Sequence, residues 1–228
     1  MEHDLVSGAM WYAVFLFSTV CHEAAHAWSA FRLGDETARN AGQVTLNPVP
    51  HIRREPIGMV VVPIASWFLG GWIIGWASTP YNAQWSRLFP RRAALMALAG
   101  PATNLAIALA AALLIRLGYE WGVFGAPYLP GMAHLASSAG GPWAAFLAKL
   151  LSIFLSLNLL LFAFNLVPVP PLDGSQAPLL FLSSSAAQKY SEILRHPVMR
   201  YGGILVAWNL IPRILPWLVR TVVALVFS

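Results

Sequence analysis

His22-Glu23-Ala24-Ala25-His26 sets two imidazoles four residues apart with a carboxylate beside the first. On a helix, residues four apart share a face, so both rings can reach one metal ion. Glu23 then stands where it can take a proton from a water on that metal. The bland reading of the same residues is a polar cluster at a helix end. Ionisable groups inside a membrane-spanning helix are costly and are usually kept for function, which favours the metal. Catalytic zinc commonly takes three protein ligands and leaves one position open. A third ligand is therefore expected far away in the chain.

The elements that must position these groups are apolar. Of 228 residues, 58% are hydrophobic and only 10% charged, against about 25% charged in soluble domains. So few charges cannot cover a water-soluble globule of this length, and the aromatic content excludes disorder. Four stretches are long enough to cross a bilayer, which takes about 20 helical residues. They run over about 8–31, 93–117, 143–167 and 201–227, with Pro212 and Pro216 set to kink the last. A fifth apolar stretch, 57–77, holds Pro63, Gly70, Gly71 and Gly75, which suit a bend better than a straight helix. The fold expected is an all-α integral membrane protein: one polytopic helical bundle over 1–228, with a re-entrant segment and a short membrane-associated β element. The alternation Gln43-Val44-Thr45-Leu46 is the candidate strand.

Charge supports the re-entrant reading. Fourteen Lys and Arg against nine Asp and Glu give +5. The basic residues sit between apolar runs, so they read as topology and lipid-headgroup contacts, with no nucleic-acid partner. Segment 32–56 carries Arg32, Arg39, Arg53 and Arg54; segment 78–92 carries Arg87, Arg91 and Arg92; segment 168–200 carries Lys189, Arg195 and Arg200. Segment 118–142 and the N-terminal tail have no Lys or Arg. If 57–77 dips in and returns, every basic loop lies on the cytoplasmic side and the N-terminus outside. Arg213 and Arg220, within the last span, do not follow from this scheme.

Topology also sorts the three aspartates. Asp4 falls on the wrong side and Asp35 in a solvated loop, whereas Asp173 follows the third span at the end where His22 and His26 lie. Asp173-Gly174 after a proline run also reads as a plain turn; beside the His motif it reads as the third ligand. His3, His134 and His196 have no partners at ligand spacing, His51 near the site's loop reads as a hydrogen-bonding structural residue, and Cys21 reads as packing.

With those residues in hand, the chain resembles the site-2 protease family of intramembrane zinc metalloproteases, in a compact bacterial form without a PDZ domain. The resemblance rests on His22-Glu23-x-x-His26, on Asn165-x-x-Pro168-x-x-Pro171-x-Asp173-Gly174, and on Gly100-Pro101-Ala-Thr-Asn104. The stretch from Gly42 through Pro48 and His51 to Gly58 adds to it, although Arg53-Arg54-Glu55-Pro56 lacks the aspartate expected before the proline. It implies one zinc per chain held by His22, His26 and Asp173, with Glu23 as general base. It also implies Asn165 near the substrate and Asn104 beside the site in support. Transmembrane proteins would be the substrates, with lipid and a regulatory membrane protein as further partners, in a bacterial cytoplasmic membrane. A zinc-binding scaffold, a metal transporter and a surface peptidase remain as alternatives. A transporter would spread ionisable residues along several helices, and a scaffold has no use for Glu23.

Overall fold

The computed structural model describes residues 4–138, 140–194 and 196–228; His3 and Arg195 lie outside them. In chain order come α1 (Leu5–Arg32), α2 (Thr37–Asn40), α3 (Pro48–Arg54), a π turn (Ile57–Val61) running into α4 (Val62–Gly70), α5 (Ala83–Leu88) and α6 (Pro90–Glu120). Then follow β1 (Phe124–Gly125), β2 (Ser137–Ser138), α7 (Pro142–Asn165), a 3-10 segment (Asp173–Leu180), α8 (Ser184–Leu194) and α9 (Pro197–Phe227). Among the described residues, α1, α6, α7 and α9 are long and apolar enough to cross a membrane. They extend the four expected spans by a few residues at most of their ends. Asp4 caps α1 by accepting from the Val6 and Ser7 amides, and prolines occupy the first turns of α6, α7 and α9, where the lost amide hydrogen has no helical partner anyway.

Small residues let these helices approach. Apolar side chains are as well solvated by lipid as by each other, so close packing and interhelical hydrogen bonds hold such bundles together. The buried faces accordingly carry Ser18, Ala27 and Ala30 on α1, Ala93, Ala97, Gly100, Ala108 and Ala111 on α6, and Ala148, Ser152 and Ser156 on α7. α9 lies against α7 through Ala207 and Ile211, packed with Val167 and Leu172.

Polar contacts at the helix ends give the relative directions. Arg92 Nη1 donates to Leu33 O at 3.1 Å, joining the start of α6 to the end of α1. Lys149 Nζ lies 3.9 Å from Asp4 Oδ2, joining the starts of α7 and α1. Arg116 Nη1 donates to Val226 O at 3.1 Å, joining the ends of α6 and α9. α1 and α7 thus run one way, α6 and α9 the other. The connectors 33–89 and 166–196 lie at one end of the bundle, and 121–141, which has no Lys or Arg, lies at the other.

Because α1 ends where α6 begins, the chain between them must return to the end it left. Ile57–Gly70 is too short to span, about 21 Å at 1.5 Å per residue. It rises along α1, where Trp67 packs with Met10, Val14 and Phe15. Gly71 turns the chain with φ +72°. Residues 72–82 then descend without regular secondary structure. Trp76 N donates to Gly58 O at 3.1 Å and Ile74 N to Ser66 Oγ at 3.0 Å, pairing the descending limb with the rising helix.

One expectation is corrected. Gly42–Leu46 forms no strand: Val44, Thr45 and Leu46 are bends. The Thr45 hydroxyl accepts from the Asn47 amide, and Asn47 in turn caps α3, so this segment is shaped as a helix lead-in. The β element is instead the antiparallel pair β1–β2 at the opposite end, in register Phe124 with Ser138.

Candidate metal centre

The second half of α1 brings His22, Glu23 and His26 together, all three buried, with possible ligand atoms within 4.8 Å of one another. Asp173 joins them from the 3-10 segment: its Oδ2 lies 3.1 Å from His22 Nε2 and 3.4 Å from His26 Nε2. The two Nε2 atoms are 2.9 Å apart.

Which nitrogens carry protons follows from the partners behind the rings. His26 Nδ1 lies 2.8 Å from the Met96 carbonyl, which only accepts, so the proton is on Nδ1. For His22 the chain is longer. Asn158 Nδ2 donates to the Phe154 carbonyl at 2.9 Å and to Ser18 Oγ at 2.9 Å, which fixes its amide orientation. Asn158 Oδ1 therefore accepts from Asn104 Nδ2 at 2.8 Å, and Asn104 Oδ1 accepts from His22 Nδ1 at 2.6 Å. A neutral imidazole has a single N–H. Both Nε2 atoms thus present lone pairs, and they converge with Asp173 Oδ2, which is buried and takes no well-directed hydrogen bond. With both imidazoles neutral, three acceptors face one another, an arrangement that suits a bound cation.

Gly100 supplies the room. A Cβ built there would lie 2.4 Å from His26 Nε2 and 2.5 Å from His22 Nε2, so any side chain on α6 at this level would fill the space before the imidazoles. Gly174 is needed for a different reason: its Cβ would meet the Leu166 carbonyl oxygen at 2.3 Å. The chain after Asp173 can fold back on the end of α7 only without a side chain there. Tyr190 of α8 steadies the same segment by donating to the Ser175 carbonyl at 2.9 Å, and burial pushes its hydroxyl pKa up.

Glu23 faces the descending limb of the hairpin. Thr79 Oγ1 lies 2.7 Å from Glu23 Oε2 and 2.9 Å from the Glu23 carbonyl. Ser78, next in the limb, donates to Glu55 Oε1 at 2.5 Å, while Arg54 Nε donates to the Ser78 carbonyl at 3.0 Å. Arg54, the last residue of α3, and Glu55 just after it therefore clamp the limb that carries Thr79.

The remaining expected residues fall as follows. Asn104 is fully buried, and both ends of its amide are engaged, so it stands behind His22 and not towards a bound peptide. Asn165, half-buried at the end of α7, donates to Leu161 O at 3.0 Å within its own helix. Asp35 is not solvated, contrary to expectation. It is buried and accepts from Thr37 N, Thr37 Oγ1 and Asn82 N, tying the end of α1 to the start of α5, away from the metal ligands. His51 is buried, its Nε2 3.0 Å from the Thr45 carbonyl, a structural use. Thr79, Asn158 and Ser18 were not anticipated. A lone amide in the middle of an apolar span was a usable signal for Asn158; Thr79 had none.

Two imidazole nitrogens and an aspartate oxygen thus converge beside the Glu23 carboxylate within a bundle of membrane-length helices. The chain belongs to peptidase family M50, whose model matches residues 10–208. It is 35% identical over 160 residues to "Putative zinc metalloprotease YwhC" of Bacillus subtilis, covering 70% of this chain and 63% of that protein. It is 31% identical over 163 residues to "Putative zinc metalloprotease Rip2" of Mycolicibacterium smegmatis, covering 71% and 53%. A Rip2 of Mycobacterium tuberculosis is 33% identical over 165 residues, covering 72% and 54%. The chain thus spans between about half and two thirds of the length of these relatives. No solved structure matches it significantly. Zinc is the metal this family membership implies, and the donor set fits it: two neutral imidazoles and a carboxylate are common zinc ligands.

Proposed function

We propose that this chain is an intramembrane zinc metalloprotease that hydrolyses peptide bonds within or near the transmembrane segments of other membrane proteins. The observation that carries the reading is the convergence of His22 Nε2, His26 Nε2 and Asp173 Oδ2 in front of Gly100, with Glu23 alongside, inside the helical bundle. His22 lies ten residues from the end of α1 at Arg32, and Gly100 ten residues from the start of α6 at Pro90. Both are therefore about 15 Å in from the same end of the bundle.

His22, His26 and Asp173 would hold one zinc per chain. When bound, zinc lowers the pKa of water and polarises a scissile carbonyl. The rest is done by the chain. Met96 O and the Asn104–Asn158–Ser18 relay hold each imidazole proton on Nδ1 and so keep the Nε2 lone pairs available. Glu23 takes the proton from the attacking water and delivers it to the departing amine. Thr79 orients the Glu23 carboxylate by its hydrogen bond to Oε2. Asn165 lies eight residues before Asp173 and is proposed, by resemblance, to hold the substrate near the metal.

The preference of basic connectors for the cytoplasm supports a topology with the site's end of the bundle facing it and the N-terminus outside, in a bacterial cytoplasmic membrane. The hairpin 57–77 is then re-entrant, its irregular limb covered by α1 and α4, which is where such backbone is tolerated in a membrane. The scaffold reading gains nothing from a buried carboxylate oriented beside the ligands.

The test compares membranes of cells expressing wild type and Glu23→Gln, with new peptide termini mapped by mass spectrometry. Termini that depend on Glu23 and fall inside transmembrane segments are the expected result. Termini only in soluble loops would sink the intramembrane reading, and none at all would sink the protease.

A further inference from the structure

α9 is the least covered of the four membrane-length helices: 11% of its apolar window is buried inside the protein, against 39–44% for the others. Its packed side carries Gly203, Ala207, Ile211 and Val226. Exposed lipid-facing residues are ordinary there, but Asn209, Arg213 and Arg220 are exposed as well. Each residue turns a helix by about 100°, so these three fall within about 40° of one another, on the side away from Ala207 and Ile211. They form one polar stripe.

Its depth makes the stripe costly. Arg213 lies eleven residues after Gly202 and fourteen before Phe227, about 17 and 21 Å along the axis of the span. It is therefore near the middle of the hydrocarbon. Arg220 is seven residues, about 10 Å, from Phe227 and can reach towards the surface. Among the described residues neither guanidinium has a hydrogen bond or an ion pair. A guanidinium has five N–H donors and no way of discharging. In lipid such groups pair with one another's opposites or face water, and they mark function.

A second copy of this chain does not supply the missing charge. Within the four long helices the acids are Glu23, buried and bonded to Thr79, and Glu120, at the end of α6 and paired with Arg116 at 2.9 Å. Two α9 faces brought together would oppose arginine to arginine. We propose that the Asn209–Arg213–Arg220 face of α9 docks a transmembrane helix of a different protein, one that carries carboxylates about two turns apart within its span. Since the stripe faces away from the Val167–Leu172 segment and the metal ligands beyond it, this helix is a standing partner and not the peptide being cut. The proposal does not depend on the chain's being a protease.

The probe is a synthetic Leu-Ala transmembrane peptide of about 22 residues carrying two glutamates seven residues apart, with a glutamine twin. Energy transfer is measured between the labelled full chain and each labelled peptide in phosphatidylcholine vesicles. The expected result is about tenfold tighter association of the glutamate peptide. That preference should vanish in Arg213→Gln/Arg220→Gln and pass to a lysine peptide in Arg213→Glu/Arg220→Glu. Equal association of the two peptides with wild type overturns the proposal without recourse to any variant. So does loss of the preference when phosphatidylglycerol is included, which would make anionic lipid the occupant. Energy transfer between two copies of the chain that depends on these arginines would make it a self-association face, and likewise overturns it.

Discussion

Replacing Gly100 by alanine adds one methyl group, and the two accounts of that glycine predict opposite signs. If Gly100 only eases helix packing at a tolerant spot, an interior Gly→Ala change in α6 stabilises the protein by about 0.5–1 kcal/mol through the backbone. The structure says otherwise. The new Cβ would lie 2.4 and 2.5 Å from the two Nε2 atoms and 2.6 Å from His22 Cε1. Ordinary carbon contacts begin near 3.5 Å, so either α6 retreats by about 1 Å or both rings rotate away. Neither is free to move alone: His22 is held through Asn104 and His26 through the Met96 carbonyl, and both partners are on α6 itself. Zinc binds imidazole nitrogen at about 2.0–2.1 Å, so the methyl would stand almost where the metal must. Zinc per chain, measured by mass spectrometry on detergent-purified protein after metal-replete preparation, should fall from about one to below about a tenth. Thermal unfolding should drop by several degrees, where overpacking costs about 1–3 kcal/mol. Gly100→Ala with full zinc and a raised melting temperature would refute the placement of the metal in front of α6.

Further outcomes follow from the same geometry. Glu23→Gln should keep zinc and lose proteolysis, whereas Asp173→Ala should lose zinc, both read by metal content beside a cleavage assay. Thr79→Val should leave zinc bound and lower kcat about tenfold, as expected for losing one hydrogen bond to a charged group; Thr79→Ser, which keeps the hydroxyl, should restore it. Asn104→Leu should weaken zinc affinity about 10–100-fold by freeing the His22 tautomer, measured by competition with a chelator. Asp35→Ala should leave zinc unchanged but destabilise the fold by about 2–4 kcal/mol, because it strips the acceptor from the Thr37 and Asn82 donors; chemical denaturation in detergent checks it.

How much of this the sequence discloses depends on the range of the interactions. His22, Glu23 and His26 are local: a four-residue spacing on an apolar helix is enough to bring two rings together. The four spans are local in the same sense, since each is a run of apolar residues of the right length. Asp173 is 147 residues from His26 and was reachable by elimination, because the chain has only three aspartates and charge had assigned each connector to an end. The hairpin at 57–77 was legible through glycine, proline and the basic residues on both flanks. What decides a strand is a partner, and alternation at Gln43–Leu46 says nothing of one. Here the Thr45 and Asn47 side chains bond to nearby backbone amides, so the same residues lead into α3.

Thr79 shows where sequence reading stops. Fifty-six residues separate it from Glu23, and it arrives on a limb with no helical or strand periodicity, positioned by the turn at Gly71 and the Trp76–Gly58 hydrogen bond. Nothing in its own neighbourhood marks it. The proposed ligands and the proposed base are thus held differently. His22 and His26 take their orientation from α6 and α7, through buried bonds that a long helix keeps in register. Glu23 takes its orientation from a single hydroxyl on an irregular segment clamped by Arg54 and Glu55. Helix-borne partners keep their geometry when the helices shift by fractions of an ångström, whereas Thr79 depends on the side-chain bonds that Arg54 and Glu55 make to Ser78 beside it. A change that loosens the clamp, such as Glu55→Gln, should therefore reduce turnover while zinc content stays at the wild-type level. Equal loss of both would mean that the two halves move as one body.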